Sequence, residues 1–177
     1  MSFNAITLIA ALVITAIAAV TDWRRGVIPN WLTLPVATGA PILHGLVSGP
    51  WAALASLGGL VVCALVPYLL YRRDAGGGGD VKLFAALGAL VGIGIGIEIQ
   101  LFTFMAAALV SLGRLTWSGR LMRTLANAFF LGLNPILPRR WRREVVPELM
   151  TAVRLGAFVF AGTLFAIALR QPPGAWP

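Results

Sequence analysis

Six long apolar stretches follow one another along this 177-residue chain, and they constrain its fold more than any other feature. A helix that crosses the hydrocarbon core of a membrane needs about 20 mostly apolar residues, with a range of roughly 17–25. The predicted spans are Phe3–Thr21, Trp31–Val47, Trp51–Tyr71, Val81–Ile97, Ile99–Gly113 and Leu149–Leu169. Only Glu98 divides the fourth from the fifth, and two short helices are preferred there because one segment would be too long for a single crossing. The sequence therefore predicts an all-α, polytopic membrane protein with about six transmembrane helices.

Composition indicates lipid as the solvent. Hydrophobic residues make up 59% of the chain and charged residues only 11%, whereas soluble domains carry about 25% charged residues. No change in composition divides the sequence, so residues 1–177 are predicted to form a single integral membrane domain.

The basic residues predict how the chain is oriented. A net charge of +8 is compatible with nucleic-acid binding, but short basic runs between apolar stretches are typical of a membrane topology signal. Twelve of the 14 basic residues fall in loops on one side of the predicted membrane, which the positive-inside rule places in the cytoplasm. Membrane lipids are therefore the expected partners of these charges, and nucleic acid is not expected. The predicted location is the inner (cytoplasmic) membrane.

The one long cytoplasmic segment, residues 113–148, lies between spans five and six. Apolar positions recur at helical spacing over residues 118–131, which predicts an amphipathic helix on the inner leaflet. The basic run over residues 138–143 would contact anionic headgroups.

Two of the six acidic residues lie at the cytoplasmic ends of predicted spans: Asp22 ends span one and Asp80 precedes span four. Two close carboxyl groups can share a proton, so that one activates water while the other hydrogen-bonds the carbonyl oxygen of a peptide bond. Such a pair needs no metal and no cofactor. Each residue also has a plainer interpretation, since Asp80 can be a helix N-cap and Asp22 an interfacial residue.

The residues around both aspartates fit a site for a peptide. The glycines at 76–79 let a second backbone approach Asp80 closely. Pro29 and Asn30 end the first cytoplasmic loop and are predicted to begin the second span. Cys63 is the one cysteine, which excludes a multi-cysteine metal site.

Two motifs resemble those of a known family. Gly77-Gly78-Gly79-Asp80-Val81-Lys82-Leu83 closely resembles the GxGDxKL block of the type IV prepilin peptidases, which are GxGD intramembrane aspartyl proteases. The stretch Asp22-Trp-Arg-Arg-Gly-Val-Ile-Pro29-Asn30 is similar to the first aspartate motif of that family. The resemblance covers most of residues 1–97, and the small size is similar to that of the peptidases of Flp-type, tight-adherence pilus systems. Archaeal preflagellin peptidases are an alternative relative.

The resemblance implies cleavage of the leader of prepilins or prepseudopilins at the cytoplasmic membrane face. It makes Asp22 and Asp80 the catalytic residues, with Gly77 and Gly79 as the motif glycines and Lys82 in positioning or anionic contact. Larger members carry a cytoplasmic region with paired cysteines and also N-methylate the pilin, so N-methylation is not expected here. Members of the family often have a Pro-aromatic-Gly-like segment at the start of the last span. Here Val146-Pro147-Glu148 keeps only the proline, so no functional role is assigned to it.

Two other functions remain open at this level. A non-catalytic membrane component of a pilus or secretion assembly would use the aspartates as helix caps. A small transporter would use them as a proton or cation site.

Overall fold

The computed structural model describes residues 3–73, 76–117 and 154–170, and all regular structure in these ranges is helical. The helices are α1 (Phe3–Arg25), α2 (Asn30–Ser48), α3 (Pro50–Tyr71), α4 (Gly78–Trp117) and α5 (Gly156–Ala168). Within the described residues, α1, α3 and α4 are long and apolar enough to cross a membrane, and α5 is a shorter apolar helix. The predicted all-α fold is confirmed. The count of six membrane spans stays a prediction, and the predicted amphipathic helix over residues 118–131 lies outside the described residues.

The chain divides into two compact units. The first comprises Met1–Ala106 with Arg154–Pro177, and the second is Ala107–Val153. The first unit contains α1, α2, α3, α5 and most of α4. In the second unit, the structure describes residues 107–117, and these are helical. A single domain over the whole chain stays a prediction.

The first part of α4 lies at the centre of the first unit. Every residue from 83 to 90 is buried, and Leu83, Phe84 and Leu87 are among the largest side chains with almost no exposure. A helix that is buried on all sides must have other helices around it. Around it, α1 packs along α5 and α2 packs along α3.

Helix α4 is interrupted at Gly92, whose φ of 81° and ψ of 173° are not helical. Residues on either side of this break are in contact: a Cβ on Gly96 would lie 3.2 Å from the Cα of Gly88, and the rings of Phe84 and Phe104 lie 5.8 Å apart. Residues 78–91 and 93–106 therefore fold back on each other as two antiparallel helical segments. Two helices were predicted in this region, but the predicted boundary at Glu98 is wrong, because Glu98 lies inside the second of them.

The break frees backbone carbonyl groups that an unbroken helix would bond internally. Side chains from two neighbouring helices bind them instead. Ser56 Oγ on α3 donates to Ala89 O at 2.6 Å, and His44 Nε2 on α2 lies 3.0 Å from Leu90 O. The carbonyl groups just before the half-buried break are thereby supplied with hydrogen bonds.

Glycines allow α3 and α4 to cross at backbone distance. A Cβ on Gly59 would lie 2.1 Å from Gly88 O, and a Cβ on Gly88 would lie 2.2 Å from Gly59 O. Small residues at such crossings are typical of helix packing in membranes, where close van der Waals contact holds helices together. This crossing fixes the start of α4, and with it Asp80, against the rest of the unit.

Candidate active site

Asp22 lies in the last turn of α1 and is almost fully buried, with 8% of its surface exposed. The helix ends at Arg25. The next residue, Gly26, has a positive φ of 66° and donates its N–H to Asp22 O at 2.8 Å. Glycine is the residue that adopts this left-handed conformation at a helix end without steric cost. Residues 26–29 then form the loop that leads to α2, so Asp22 lies one helical turn before this loop.

Asp80 lies in the first turn of α4 and is half-buried. Its Oδ2 accepts a hydrogen bond from the Gly77 N–H at 3.0 Å, and its own N–H donates to Gly77 O at 3.1 Å. This reciprocal pairing ties the side chain to the glycine loop that precedes the helix. A Cβ on Gly77 would lie only 3.1 Å from Oδ2 of Asp80, so the loop closes tightly around the carboxylate.

Asp22 and Asp80 line one cavity of about 320 Å³. The cavity is formed by the loop after α1 and the start of α4. Its lining residues are Asp22, Gly26, Val27, Ile28, Asn30, Gly77, Gly78, Gly79, Asp80 and Lys82. Of the residues that the sequence predicted around the two aspartates, all but Gly76 and Pro29 line this cavity.

Two contacts hold the loop after α1 against the start of α4. Lys82 Nζ donates to Asn30 Oδ1 at 2.8 Å, and a Cβ on Gly79 would lie 3.1 Å from the Cβ of Ile28. Pro29 stands at the N-cap of α2 with an extended conformation (φ −74°, ψ 141°), so it sets the direction in which Asn30 enters the helix. The two sequence motifs thus meet in space through both a hydrogen bond and a close packing contact.

The other acidic residues do not join this site in the described part of the chain. Glu98 forms a bidentate ion pair with Arg170, with a shortest distance of 2.7 Å. Asp74, Glu144 and Glu148 lie outside the described residues. Over residues 3–73, 76–117 and 154–170 no group of three or more His, Cys, Asp or Glu is placed to hold a metal ion.

Comparison with known proteins identifies the family. Residues 8–112 match the model of the type IV leader peptidase family. The chain belongs to this family. The matched region contains the whole cavity, including both aspartates and the Lys82–Asn30 contact.

Several curated proteins are similar to this leader peptidase family member. The prepilin peptidase EppA of Methanothermobacter thermautotrophicus is 34% identical over 95 residues, which cover 51% of this chain and 25% of the relative. A prepilin leader peptidase/N-methyltransferase of Burkholderia pseudomallei is 37% identical over 111 residues, which cover 56% of this chain and 34% of the relative. The leader peptidase HopD of Salmonella typhimurium is 35% identical over 74 residues, or 38% of this chain and 48% of the relative.

The chain thus spans from a quarter to about half of the length of these curated relatives. No solved structure matches it.

One contact of the candidate site was not predicted from the sequence. Gly156 donates its backbone N–H to Oδ2 of Asp22 at 2.9 Å, although the two residues are 134 positions apart. Gly156 lies outside the region that the family model matches. In the sequence, Gly156 is one of several glycines in apolar segments, and it lies within the predicted span Leu149–Leu169. Its position beside Asp22 follows only from the packing of α1 on α5.

Proposed function

We propose that this chain is an intramembrane aspartic endopeptidase that removes the N-terminal leader of a prepilin or prepseudopilin, without N-methylating the product. The observation that carries the proposal is that Asp22 and Asp80 line one cavity. Among the described residues that line the cavity, only Asp22 and Asp80 carry carboxyl groups. The relatives include prepilin peptidases, which supports the same substrate class.

The proposed chemistry uses both aspartates as one unit. With one proton shared between them, the ionised carboxylate removes a proton from a water molecule as its oxygen attacks the peptide carbon. The protonated partner donates a hydrogen bond to the carbonyl oxygen, where negative charge develops. When the tetrahedral intermediate collapses, the C–N bond breaks and the leaving nitrogen takes a proton from the pair. The products are a carboxylic acid and an amine, and the pair returns to its starting protonation.

The glycines beside Asp80 suit a substrate backbone. Gly77, Gly78 and Gly79 line the cavity without side chains that would fill it. The reacting carbonyl carbon of the substrate must come within about 3–3.5 Å of the attacking water. An extended substrate chain can approach this closely only where no protein side chains project into the cavity. The Lys82–Asn30 contact ties the start of α2 to the start of α4 beside these glycines.

The proposed location is the cytoplasmic face of the inner membrane. The positive-inside rule puts the loop after α1 and the loop before α4 on the cytoplasmic side, because twelve of the 14 basic residues lie on that side. A prepilin has a short basic leader followed by an apolar helix, and its cleavage point lies at their junction. A carboxyl pair at the inner interface meets that junction as the apolar helix enters the bilayer.

Co-expression with a prepilin-type substrate tests the proposal. Asp22→Asn and Asp80→Asn keep a side-chain oxygen that can accept the backbone hydrogen bonds from Gly156 and Gly77. Each variant is therefore expected to fold and insert, while its cleavage rate falls by about a hundredfold or more because one half of the acid–base pair is lost. The measurement is the mobility shift of the substrate on a gel.

Glu98→Gln is the matched control, because it neutralises a carboxyl group that lies outside the cavity. It is expected to cleave at the wild-type rate. Substantial cleavage by either asparagine variant would overturn the assignment and favour a non-catalytic component or a transporter. Mass spectrometry of the cleaved product is expected to show an unmethylated N-terminus.

A further inference from the structure

The start of α5 has no capping side chain of its own. Leu155 occupies the N-cap position and makes no side-chain hydrogen bond to the helix. The first N–H groups of a helix have no partner inside it and need one from elsewhere. The carboxylate of Asp22, from α1, supplies that partner to the first residue of the helix, Gly156, at 2.9 Å.

The contact requires glycine at this position. A Cβ on residue 156 would lie 2.7 Å from the Cβ of Asp22, 2.9 Å from its Oδ2 and 3.1 Å from Ala18 O. The first two distances are shorter than real Cβ contacts, so α5 or the Asp22 side chain would have to move. Both residues are buried in the contact between α1 and α5.

A second contact joins the end of α1 to the residues that lead into α5. The guanidinium group of Arg154 donates to the backbone carbonyl of Trp23. A cation at the carboxyl end of a helix satisfies an otherwise unpaired carbonyl and interacts favourably with the helix dipole. Residues 154 and 156 therefore bind consecutive residues of α1, one through its side chain and one through its backbone.

We propose that Gly156, supported by Arg154, is a positioning residue of the peptidase that fixes the Asp22 carboxylate in its orientation toward the cavity. This inference rests on the proposed function. A hydrogen bond to a carboxylate is stronger than one between neutral groups. It also removes rotational freedom from a side chain that must present the same oxygen to water in every turnover. A displacement of about 1 Å is enough to lower a reaction rate by about a hundredfold.

The alternative is that Gly156 matters only for packing, and Gly162 provides the matched control. Gly162 lies on the same helix, is buried, and is packed as tightly: a Cβ there would lie 2.6 Å from Thr103 Oγ1 and 2.8 Å from Ile99 O. Its neighbours belong to α4 and are not part of the cavity. Gly156→Ala and Gly162→Ala therefore impose similar crowding on α5 at two places, only one of which touches Asp22.

The test compares kcat, KM and the unfolding temperature of both variants in the full-length protein, with a prepilin-type substrate. Gly156→Ala is expected to lower kcat by about tenfold or more with KM within about twofold, because substrate binding is kept while the attacking group is misplaced. Gly162→Ala is expected to lose at least as much thermal stability and to keep kcat within about twofold. Wild-type kcat in Gly156→Ala, or equal kcat losses in the two variants, would overturn the proposal.

Arg154→Met gives a second measurement that adds no atoms beside Asp22. Arg154 is exposed, so this variant is expected to fold, and its kcat is expected to fall by about threefold to tenfold at unchanged KM. If Gly156→Ala cannot be recovered folded, wild-type kcat in Arg154→Met overturns the proposal. Failure of the proposed function gives a different result, since Asp22→Asn would then still cleave or the wild-type protein would not cleave at all.

Discussion

Lys82 and Asn30 join the two sequence motifs of the candidate site through a 2.8 Å hydrogen bond across 52 positions of the chain. Both side chains line the cavity that contains Asp22 and Asp80. The bond ties the start of α2 to the first turns of α4. We expect this bond to keep the distance and orientation between the carboxylates of Asp22 and Asp80 constant.

The first prediction concerns this bond. Lys82→Met and Asn30→Ala are each expected to slow cleavage, and the double variant is expected to be no slower than the worse single variant, because residues that act through one shared contact are not additive. Cleavage rates of the four proteins in a double-mutant cycle provide the measurement. Additive losses would mean that the two residues act independently.

The second prediction concerns the crossing of α3 and α4. Gly59→Ala is expected to destabilise the protein by about 3 kcal/mol, because overpacking at backbone distance forces helices apart. Its neighbour provides the control, since a Cβ on Gly58 would lie at an ordinary 3.7 Å from Ile93 Cδ1. Gly58→Ala is expected to be neutral or to stabilise the helix by up to about 1 kcal/mol. Thermal unfolding in detergent measures both, and equal effects would contradict the proposed crossing.

The third prediction separates backbone strain from crowding at the break in α4. A Cβ on Gly92 or on Gly94 would meet no atom within 4 Å, but only Gly92 has a positive φ, of 81°. Gly92→Ala is therefore expected to cost about 1–3 kcal/mol, because a φ of 81° with a ψ of 173° is a backbone conformation essentially limited to glycine. Gly94→Ala is expected to be neutral or slightly stabilising. Unfolding temperatures that do not differ would mean that the chain does not break at Gly92.

The fourth prediction concerns the carbonyl groups that the break frees. Ser56→Ala removes the donor to Ala89 O and leaves a buried acceptor without that partner. The expected loss of stability is about 1–3 kcal/mol. Ser48→Ala, at an exposed serine at the end of α2, is expected to change stability by less than about 0.5 kcal/mol. A loss in Ser56→Ala as small as that in the control would show that the freed carbonyl does not need the serine.

Much of the fold and of the candidate site was predictable from the sequence, because the signals are local. Apolar runs of about 20 residues predict helices whatever their neighbours. The predicted second span, Trp31–Val47, lies within α2, which runs from Asn30 to Ser48. The sequence predicted only that both aspartates lie on the same side of the membrane; in the structure, residues of both motifs line one cavity.

The features that were missed depend on tertiary contacts. A charged residue between apolar runs is an ordinary sign of a boundary, but Glu98 lies inside a helix, where it pairs with Arg170. Gly92, where the chain does break, stands among other glycines of α4, and nothing in the sequence distinguishes it from Gly94. Gly156 is separated from Asp22 by 134 positions, so no local pattern could connect them.

Both carboxylates of the proposed pair accept hydrogen bonds from backbone amides, Asp22 from Gly156 and Asp80 from Gly77. A side-chain donor can be deleted by a single substitution, whereas a backbone donor is present in every residue except proline. These two bonds therefore depend on the path of the chain and not on the identity of a donor side chain. Mutation affects these two hydrogen bonds mainly at Gly77 and Gly156, because replacing either glycine adds a Cβ close to Oδ2 of the aspartate that it binds. An engineer who wishes to retune this site has little to exchange around the acids themselves, and must change the course of the backbone.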